Sequence, residues 1–172
     1  MRVTREEYLD LDDDGFRYDM RNGVLTMAPS PNFEHNEISG DFLFHLKKFL
    51  ESSHLGHVVP ETDVMLPDAG DVLRPDISFI LNENMGMVKT HIHGAPDLIC
   101  EILSDSTREY DLGEKAQRYL TCGVKEYWII DPKGKSFELW LNRKDRWEKL
   151  SGQRIKSKLL HGFELINSDL FG

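Results

Sequence analysis

The chain has few cysteines, no long apolar run and no overall excess of basic residues. Its two cysteines, Cys100 and Cys122, are far apart in sequence and indicate no disulfide framework. No stretch approaches the roughly 18 apolar residues that span a bilayer, and the first residues lack the apolar core of a signal peptide. At this length we therefore expect one domain, residues 1–172, in a reducing cytoplasm and without membrane contact.

Charge is unevenly distributed along the sequence. The net charge is −9, which argues against general binding to polyanions. Residues 133–158, however, carry nine basic side chains against three acidic ones. This segment is compatible with a path for a phosphate backbone or with the solvated face of two strands.

The first half of the sequence predicts a hairpin followed by a long helix. Polar and apolar residues alternate between Phe16 and Met27 around the turn pair Asn22-Gly23. Ser30 is then expected as an N-cap, with a helix running to about Ser52. His35 opens the apolar stripe of this helix, so its side chain should point inward.

The second half predicts a sheet and a second helix. A capping box at Asp111 and Glu114 indicates a helix over about 112–121, which Gly123 should end. The expected strands are His57 to Glu61, Val64 to Leu66, Asp76 to Leu81 and Leu98 to Leu103, followed by a meander of Tyr127 to Asp131, Phe137 to Leu141 and Arg146 to Leu150.

Two carboxylates interrupt segments that otherwise read as β-strand. Strand alternation places Glu101 on one face with Ile99 and Leu103, within an apolar stripe, and Asp76 opens an earlier strand. A buried carboxylate needs a cation, a basic neighbour or a proton. A divalent metal shared by Asp76 and Glu101 and a structural salt bridge are both compatible with this pattern.

Lys115 lies early in the second helix and could reach the same place. There it could orient a water molecule or offset charge that develops at a phosphate. The alternative is a surface lysine paired with Asp111, four residues earlier.

Several strings in the chain, in this order, resemble the Uma-type family of restriction-endonuclease-like proteins within the PD-(D/E)XK nuclease superfamily. They are Arg17-Tyr-Asp-Met-Arg-Asn-Gly-Val-Leu, Met27-Ala-Pro-Ser-Pro with His35, Arg74-Pro-Asp-Ile, Ala95-Pro-Asp-Leu-Ile-Cys-Glu-Ile-Leu-Ser-Asp-Ser-Thr-Arg, Asp111-Leu-Gly-Glu-Lys and Gly123-Val-Lys-Glu-Tyr-Trp-Ile-Ile-Asp-Pro.

The resemblance implies a mixed α/β fold, with a restriction-endonuclease-like central mixed β-sheet flanked by helices, an N-terminal hairpin and a C-terminal β-meander. It implies Asp76 and Glu101 as ligands of Mg²⁺ or Mn²⁺ in the hydrolysis of DNA. We also expect His35 near the site and a homodimer.

The chain departs from the superfamily pattern at one position. The usual lysine stands two residues after the second acid, where this chain has Leu103. The resemblance implies that Lys115, on the following helix, replaces it, with Tyr119 supporting Lys115. The flexible stem of lysine tolerates such a change of origin.

Two other functions are compatible with the sequence. The first is a catalytically silent scaffold that binds nucleic acid through the basic segment 133–158 or dimerises through a sheet face. The second is a zinc hydrolase, because His91 and His93 could share one face of a strand, although no third ligand stands at a familiar spacing.

Overall fold

The computed structural model of the protein describes residues 2–12, 14–67 and 70–172. Its helices are α1 (Arg5–Leu9), α2 (Phe33–Ser53), α3 (Arg108–Tyr110) and α4 (Ala116–Cys122), with a π-helical turn (Asp111–Lys115) joining the last two and 3₁₀ turns at Asn82–Met87 and Asn167–Asp169. Its strands are β1 (Arg17–Arg21), β2 (Val24–Ala28), β3 (Gly56–Pro60), β4 (Val64–Met65), β5 (Val72–Leu73), β6 (Ile77–Leu81), β7 (Ile92–His93), β8 (Leu98–Ile102), β9 (Glu126–Asp131), β10 (Ser136–Asn142), β11 (Trp147–Ser151), β12 (Arg154–Lys156) and β13 (Glu164–Ile166).

A mixed sheet of six strands forms the centre of the fold, in the order β11-β10-β9-β8-β6-β3. Strands β8 and β9 run parallel, while the other neighbours are antiparallel. Parallel neighbours need a crossover, and the helical segment from α3 to α4 provides it. The predicted mixed α/β fold is confirmed, and the C-terminal meander is part of the central sheet.

The central sheet buries both of its faces. On one face Phe42 and Leu46 of α2 pack against Phe79 and Trp128. On the other face Ile99 packs with residues of α4 and of a second sheet, whose strand order is β2-β1-β5-β4-β7. The sequence alternation predicted these faces correctly, and fully buried Cys100 is an apolar filler of the first core.

The hairpin and the long helix are confirmed, but the predicted helix cap is wrong. Asn22 and Gly23 take the positive φ values, 49° and 76°, that a two-residue hairpin turn requires. The N-cap of α2 is Asn32 instead of Ser30, because the Asn32 side chain accepts a hydrogen bond from the backbone N–H of His35 at 2.8 Å. Pro31 therefore precedes the helix.

The second helical segment begins earlier than predicted. The backbone N–H of Arg108 already donates to the carbonyl of Ser104, so Asp111 lies inside the segment and caps nothing. Gly123, with φ of 95°, ends α4 as predicted. In the part of the chain that the structure describes, no helix combines the length and apolar character needed to traverse a bilayer.

Candidate active site

Three separate elements bring Asp76, Glu101 and Lys115 together. Asp76 directly precedes β6, Glu101 lies in β8 and Lys115 ends the π-helical turn. Because Ile77 pairs with Cys100 across the two strands, the Asp76 backbone N–H reaches Glu101 Oε2 at 3.4 Å. The three residues are only 7%, 3% and 5% exposed, so they form a buried polar cluster.

Glu101 accepts two hydrogen bonds from the crossover helix. Lys115 Nζ lies 2.7 Å from its Oε1 atom, and the hydroxyl of Tyr119 donates to the same oxygen at 2.9 Å. The sequence reasoning expected Tyr119 to support Lys115. In the structure the tyrosine hydroxyl holds the carboxylate that Lys115 also contacts.

Lys115 is surrounded by acids and is not a surface residue. Besides Glu101, its ammonium lies 3.6 Å from Asp111 Oδ1 and 3.8 Å from Asp19 Oδ2. The predicted pair with Asp111 is therefore present, but inside the protein. Leu103, two residues after Glu101, packs in the core beside this cluster.

Asp76 is fixed by the long helix and by the neighbouring strand. His35 lies in the first turn of α2, and its Nε2 atom is 3.2 Å from Asp76 Oδ2. The backbone N–H of Ile102 donates to the same oxygen at 2.8 Å. His35 thus points inward as predicted, and it contacts the first acid directly.

The cluster contains more acids than cations. Burial raises the pKa of Glu101 well above its ordinary value, although the charge of Lys115 opposes this. Burial alone would lower the pKa of Lys115, but Glu101, Asp19 and Asp111 raise it well above the ordinary value. The leading causes differ, since burial acts most on Glu101 and the neighbouring acids keep Lys115 charged, but the surplus of acids contributes to both raised pKa values and favours the binding of other cations.

The pair of His35 and Asp76 predicts a pH-dependent contribution to stability. Burial lowers the pKa of His35, but the hydrogen bond and the charge of Asp76 raise it above the ordinary 6.5. A histidine with a raised folded pKa stabilises fully below its unfolded pKa, and this contribution disappears as the pH rises through the folded pKa. We expect His35→Gln to lower the free energy of unfolding by about 1 kcal/mol at acidic pH, and by less at alkaline pH.

Urea denaturation of wild type and His35→Gln over the same pH series measures this difference. His45→Gln is the matched control, because His45 lies in the same helix and its Nε2 atom is farther from its acid, 3.8 Å from Asp169 Oδ1. A difference for His35→Gln that stays constant with pH would contradict the assignment.

The cluster lies at the floor of a cleft of about 1270 Å³. The β1–β2 hairpin forms one wall, with Arg17, Asp19 and Arg21 on its inner face. The loop 104–108, three residues of the turn 132–135 and the segment 28–32 before α2 also line the cleft. The cleft exceeds the roughly 300–1,000 Å³ of small-molecule pockets and so suits an extended ligand.

The sequence reasoning missed the contributions of Asp19 and Arg17. Asp19 approaches Lys115, and Arg17 Nη2 lies 4.0 Å from Asp76 Oδ1 while also pairing with Glu61. The available signal was the alternation of β1, which places Arg17, Asp19 and Arg21 on one face. In a sequence, three charged residues on one face of a strand indicate a face in contact with solvent. Only the folded structure shows that this face lies against the buried cluster.

Nearly half of the basic residues in segment 133–158 are paired with acids at the surface. Four of its basic residues form ion pairs with acids: Lys133 with Asp105, Arg143 with Glu148, Arg146 with Asp145 and Arg154 with Glu164. Lys149 lies over the ring of Trp140. This arrangement favours the solvated face over a continuous path for a phosphate backbone, although Lys133 and Lys135 border the cleft.

The predicted histidine pair shows no zinc geometry. His91 Nδ1 lies 3.9 Å from Asp63 Oδ2, and His93 is exposed at the end of β7. Within the described ranges, no group of three or more histidine, cysteine or acidic side chains is arranged to hold a metal ion.

The donor set of Asp76 and Glu101 fits a hard divalent cation. Mg²⁺ prefers oxygen ligands and usually takes only one or two carboxylates from the protein, leaving places for water and phosphate. Asp76 Oδ1 and Glu101 Oε2 make the longer contacts, 4.0 Å to Arg17 and 3.4 Å to a backbone N–H, so each acid retains an oxygen for a ligand. The surplus negative charge favours the same conclusion.

Comparisons with known proteins agree with this fold. A crystal structure described as "a putative nuclease belonging to DUF820 from Anabaena variabilis ATCC 29413" superposes with a TM-score of 0.84 over 98% of this chain and 97% of that one. At 19% sequence identity, that likeness shows the fold alone. No curated protein sequence matches the chain. The family model described as "Uma2: Putative restriction endonuclease" matches residues 5–167, and because this is nearly the whole chain, the protein belongs to the Uma2 family.

Proposed function

We propose that the protein is a metal-dependent DNA endonuclease that hydrolyses phosphodiester bonds at the floor of the cleft. The observation that carries this proposal is the convergence of Lys115 with Asp76 and Glu101. The Nζ atom of this helix lysine reaches to 2.7 Å from Glu101 Oε1, although the residue two positions after Glu101 is Leu103 and not a lysine. Two acids and a lysine at the floor of an extended cleft form a site for a scissile phosphate.

Asp76 and Glu101 would hold Mg²⁺ or Mn²⁺. When bound, such an ion polarises a phosphoryl oxygen and lowers the pKa of a coordinated water molecule. The charge of Lys115 would offset negative charge on the phosphate, and it is held in place by Glu101, Asp111 and Asp19.

His35 and Tyr119 are positioning residues in this proposal. His35 contacts Asp76 Oδ2 and Tyr119 donates to Glu101 Oε1, so each fixes one acid through a single oxygen. The other oxygen of each acid would then serve as the metal ligand. Such contacts set the orientation of metal ligands and adjust their basicity.

Cleavage of circular DNA tests the proposal. We expect wild-type protein to linearise or degrade circular single-stranded and supercoiled double-stranded DNA with Mg²⁺ or Mn²⁺, and not with EDTA. Glu101→Gln should lower the rate at least about a hundredfold, because the amide is a poor ligand for Mg²⁺.

Glu109→Gln provides the matched control, since Glu109 is an exposed acid on the same helical segment and lies outside the cleft. The control should cleave at the wild-type rate. Cleavage that persists in EDTA, or equal rates for both variants, would refute the proposal, as would wild-type protein that is folded but inactive on both circles.

A further inference from the structure

The walls of the cleft carry hydrogen-bonding groups that have no partner. Among the described residues, buried atoms without a hydrogen-bond partner include Arg17 Nε, Arg21 Nε, His35 Nδ1 and the hydroxyl of Tyr110. All four residues line the same cleft. Buried polar groups are normally paired, so four unpaired groups among the lining residues of one cleft favour a polar ligand there.

The two arginines follow one another along a single face of β1. Four residue steps along the extended strand separate them, which corresponds to about 13 Å. Arg17 lies beside Asp76, while Arg21 is held by Glu114 at 2.9 Å at the opposite end of the row. The two arginines therefore stand on either side of Asp19 and of Lys115, which Asp19 contacts. An extended anionic ligand that is contacted at two points would require this arrangement.

Aromatic surface accompanies these charges. The Arg21 guanidinium lies over the ring of Tyr110, 4.0 Å from its centroid. Phe16 lines the cleft directly before Arg17 and is 58% exposed. Exposed aromatic rings beside basic residues are the platforms on which unpaired bases stack, whereas bases within a duplex have their faces covered by their neighbours.

The depth of the site also favours an unpaired strand over a duplex. Asp76, Glu101 and Lys115 line the cleft and are almost wholly buried, so a phosphate must enter the cleft to meet them. We propose that the cleft binds an unpaired, single-stranded segment of DNA, with Phe16 stacking on a base and Arg17 and Arg21 contacting phosphates on either side of the reacting one. This substrate class rests on the proposed nuclease function.

Binding in EDTA separates recognition from cleavage. Fluorescence anisotropy would compare a fluorescein-labelled single-stranded oligonucleotide with the same strand annealed to its complement. We expect tighter binding of the single strand, and a loss of about tenfold for Phe16→Ala and for Arg21→Ala. Arg21→Ala should also make the slope of log affinity against log salt shallower by about 0.7.

Matched controls exist for both side chains. Phe44 on α2 is 59% exposed, like Phe16. Arg146 pairs with the adjacent Asp145. Neither residue lines the cleft. Phe44→Ala and Arg146→Ala should bind the single strand like wild type. Thermal melting of all four variants verifies that each is folded.

The outcomes distinguish this inference from the proposed function. Equal or tighter binding of the duplex, or equal losses for Phe16→Ala and Phe44→Ala, would overturn the substrate class even if the protein cleaves DNA with Mg²⁺. Selective binding of the single strand through Phe16 and Arg21, without metal-dependent cleavage, would support the cleft assignment and refute the nuclease function.

Discussion

Asp76→Asn is expected to lower the rate of Mg²⁺-dependent DNA cleavage by about a thousandfold while leaving the protein folded. The substitution keeps the shape of the side chain and an oxygen that can accept the hydrogen bond from Ile102, 2.8 Å long in the wild type. It removes the negative charge that a divalent ion requires. Initial rates at saturating Mg²⁺, with thermal melting as a test of folding, measure the effect.

The matched control is Asp105→Asn. Asp105 also lines the cleft, but it is 80% exposed and pairs only with exposed Lys133 in its described contacts. Loss of this acid should change the rate by less than about threefold, since exposed ion pairs contribute little. If Asp76→Asn and Asp105→Asn cleave equally well, Asp76 is not a metal ligand.

Binding of Mg²⁺ to its buried ligands should also be measurable without DNA. Wild-type protein is expected to melt at a higher temperature in excess Mg²⁺ than in EDTA, because a ligand that binds only the folded state stabilises it. Asp76→Asn should lose this increase and Asp105→Asn should retain it. An equal increase in both variants would locate the ion elsewhere.

The sequence predicted the strands of the site because their pattern is local. Alternation alone placed Ile99 and Leu103 in one core and Leu98 and Cys100 in the other, and the structure confirms both assignments. Glu101 was therefore recognised as a carboxylate in an apolar stripe. The hairpin turn was equally clear, since Asn22 and Gly23 readily take positive φ.

The surroundings of Lys115 could not be predicted in the same way. Its position depends on a π-helical turn and on the start of the crossover segment. The sequence predicted only the end of that segment, at Gly123, correctly. Asp19 comes from a hairpin 96 residues away along the chain, and no local pattern links it to Lys115. Contacts between distant segments are set by how the sheets pack, so their partners appear only in the folded structure.

Packing between distant segments also explains why the predicted capping box at Asp111 is wrong. In sequence, Asp111 followed by Glu114 has the spacing of a capping box. In the structure the helical segment has already begun at Arg108, and the hydroxyl of Tyr127 donates to the backbone carbonyl of Asp111 at 3.0 Å. Packing against β9 thus determines the role of Asp111, whose side chain faces Lys115.

Lys115→Met is expected to lower the free energy of unfolding by about 3–5 kcal/mol at neutral pH. Methionine has a similar length, so little volume is lost, but Glu101, Asp111 and Asp19 lose the cation that lies within 3.8 Å of each of them. Urea denaturation measures the change. Lys125→Met is the matched control, because Lys125 is 2.8 Å from buried Asp97 but half-exposed itself, and it should lose about 1 kcal/mol or less.

The loss should depend on pH in a defined direction. Burial already raises the pKa of Glu101, and removal of Lys115, whose charge lowers that pKa, raises it further. An acid with a raised folded pKa makes the folded state bind more protons than the unfolded state, so stability falls as the pH rises between the two values. Lys115→Met should therefore be least destabilised at acidic pH.

The double variant Lys115→Met with Glu101→Gln separates stability from chemistry. Removing the carboxylate together with its cation should restore a large part of the lost stability, because no unpaired charge remains between these two groups. Cleavage should not return, since both the lysine and a metal ligand are absent. A double variant as unstable as the sum of its parts would show that Glu101 and Lys115 do not stabilise each other, and recovered cleavage would exclude both from the reaction.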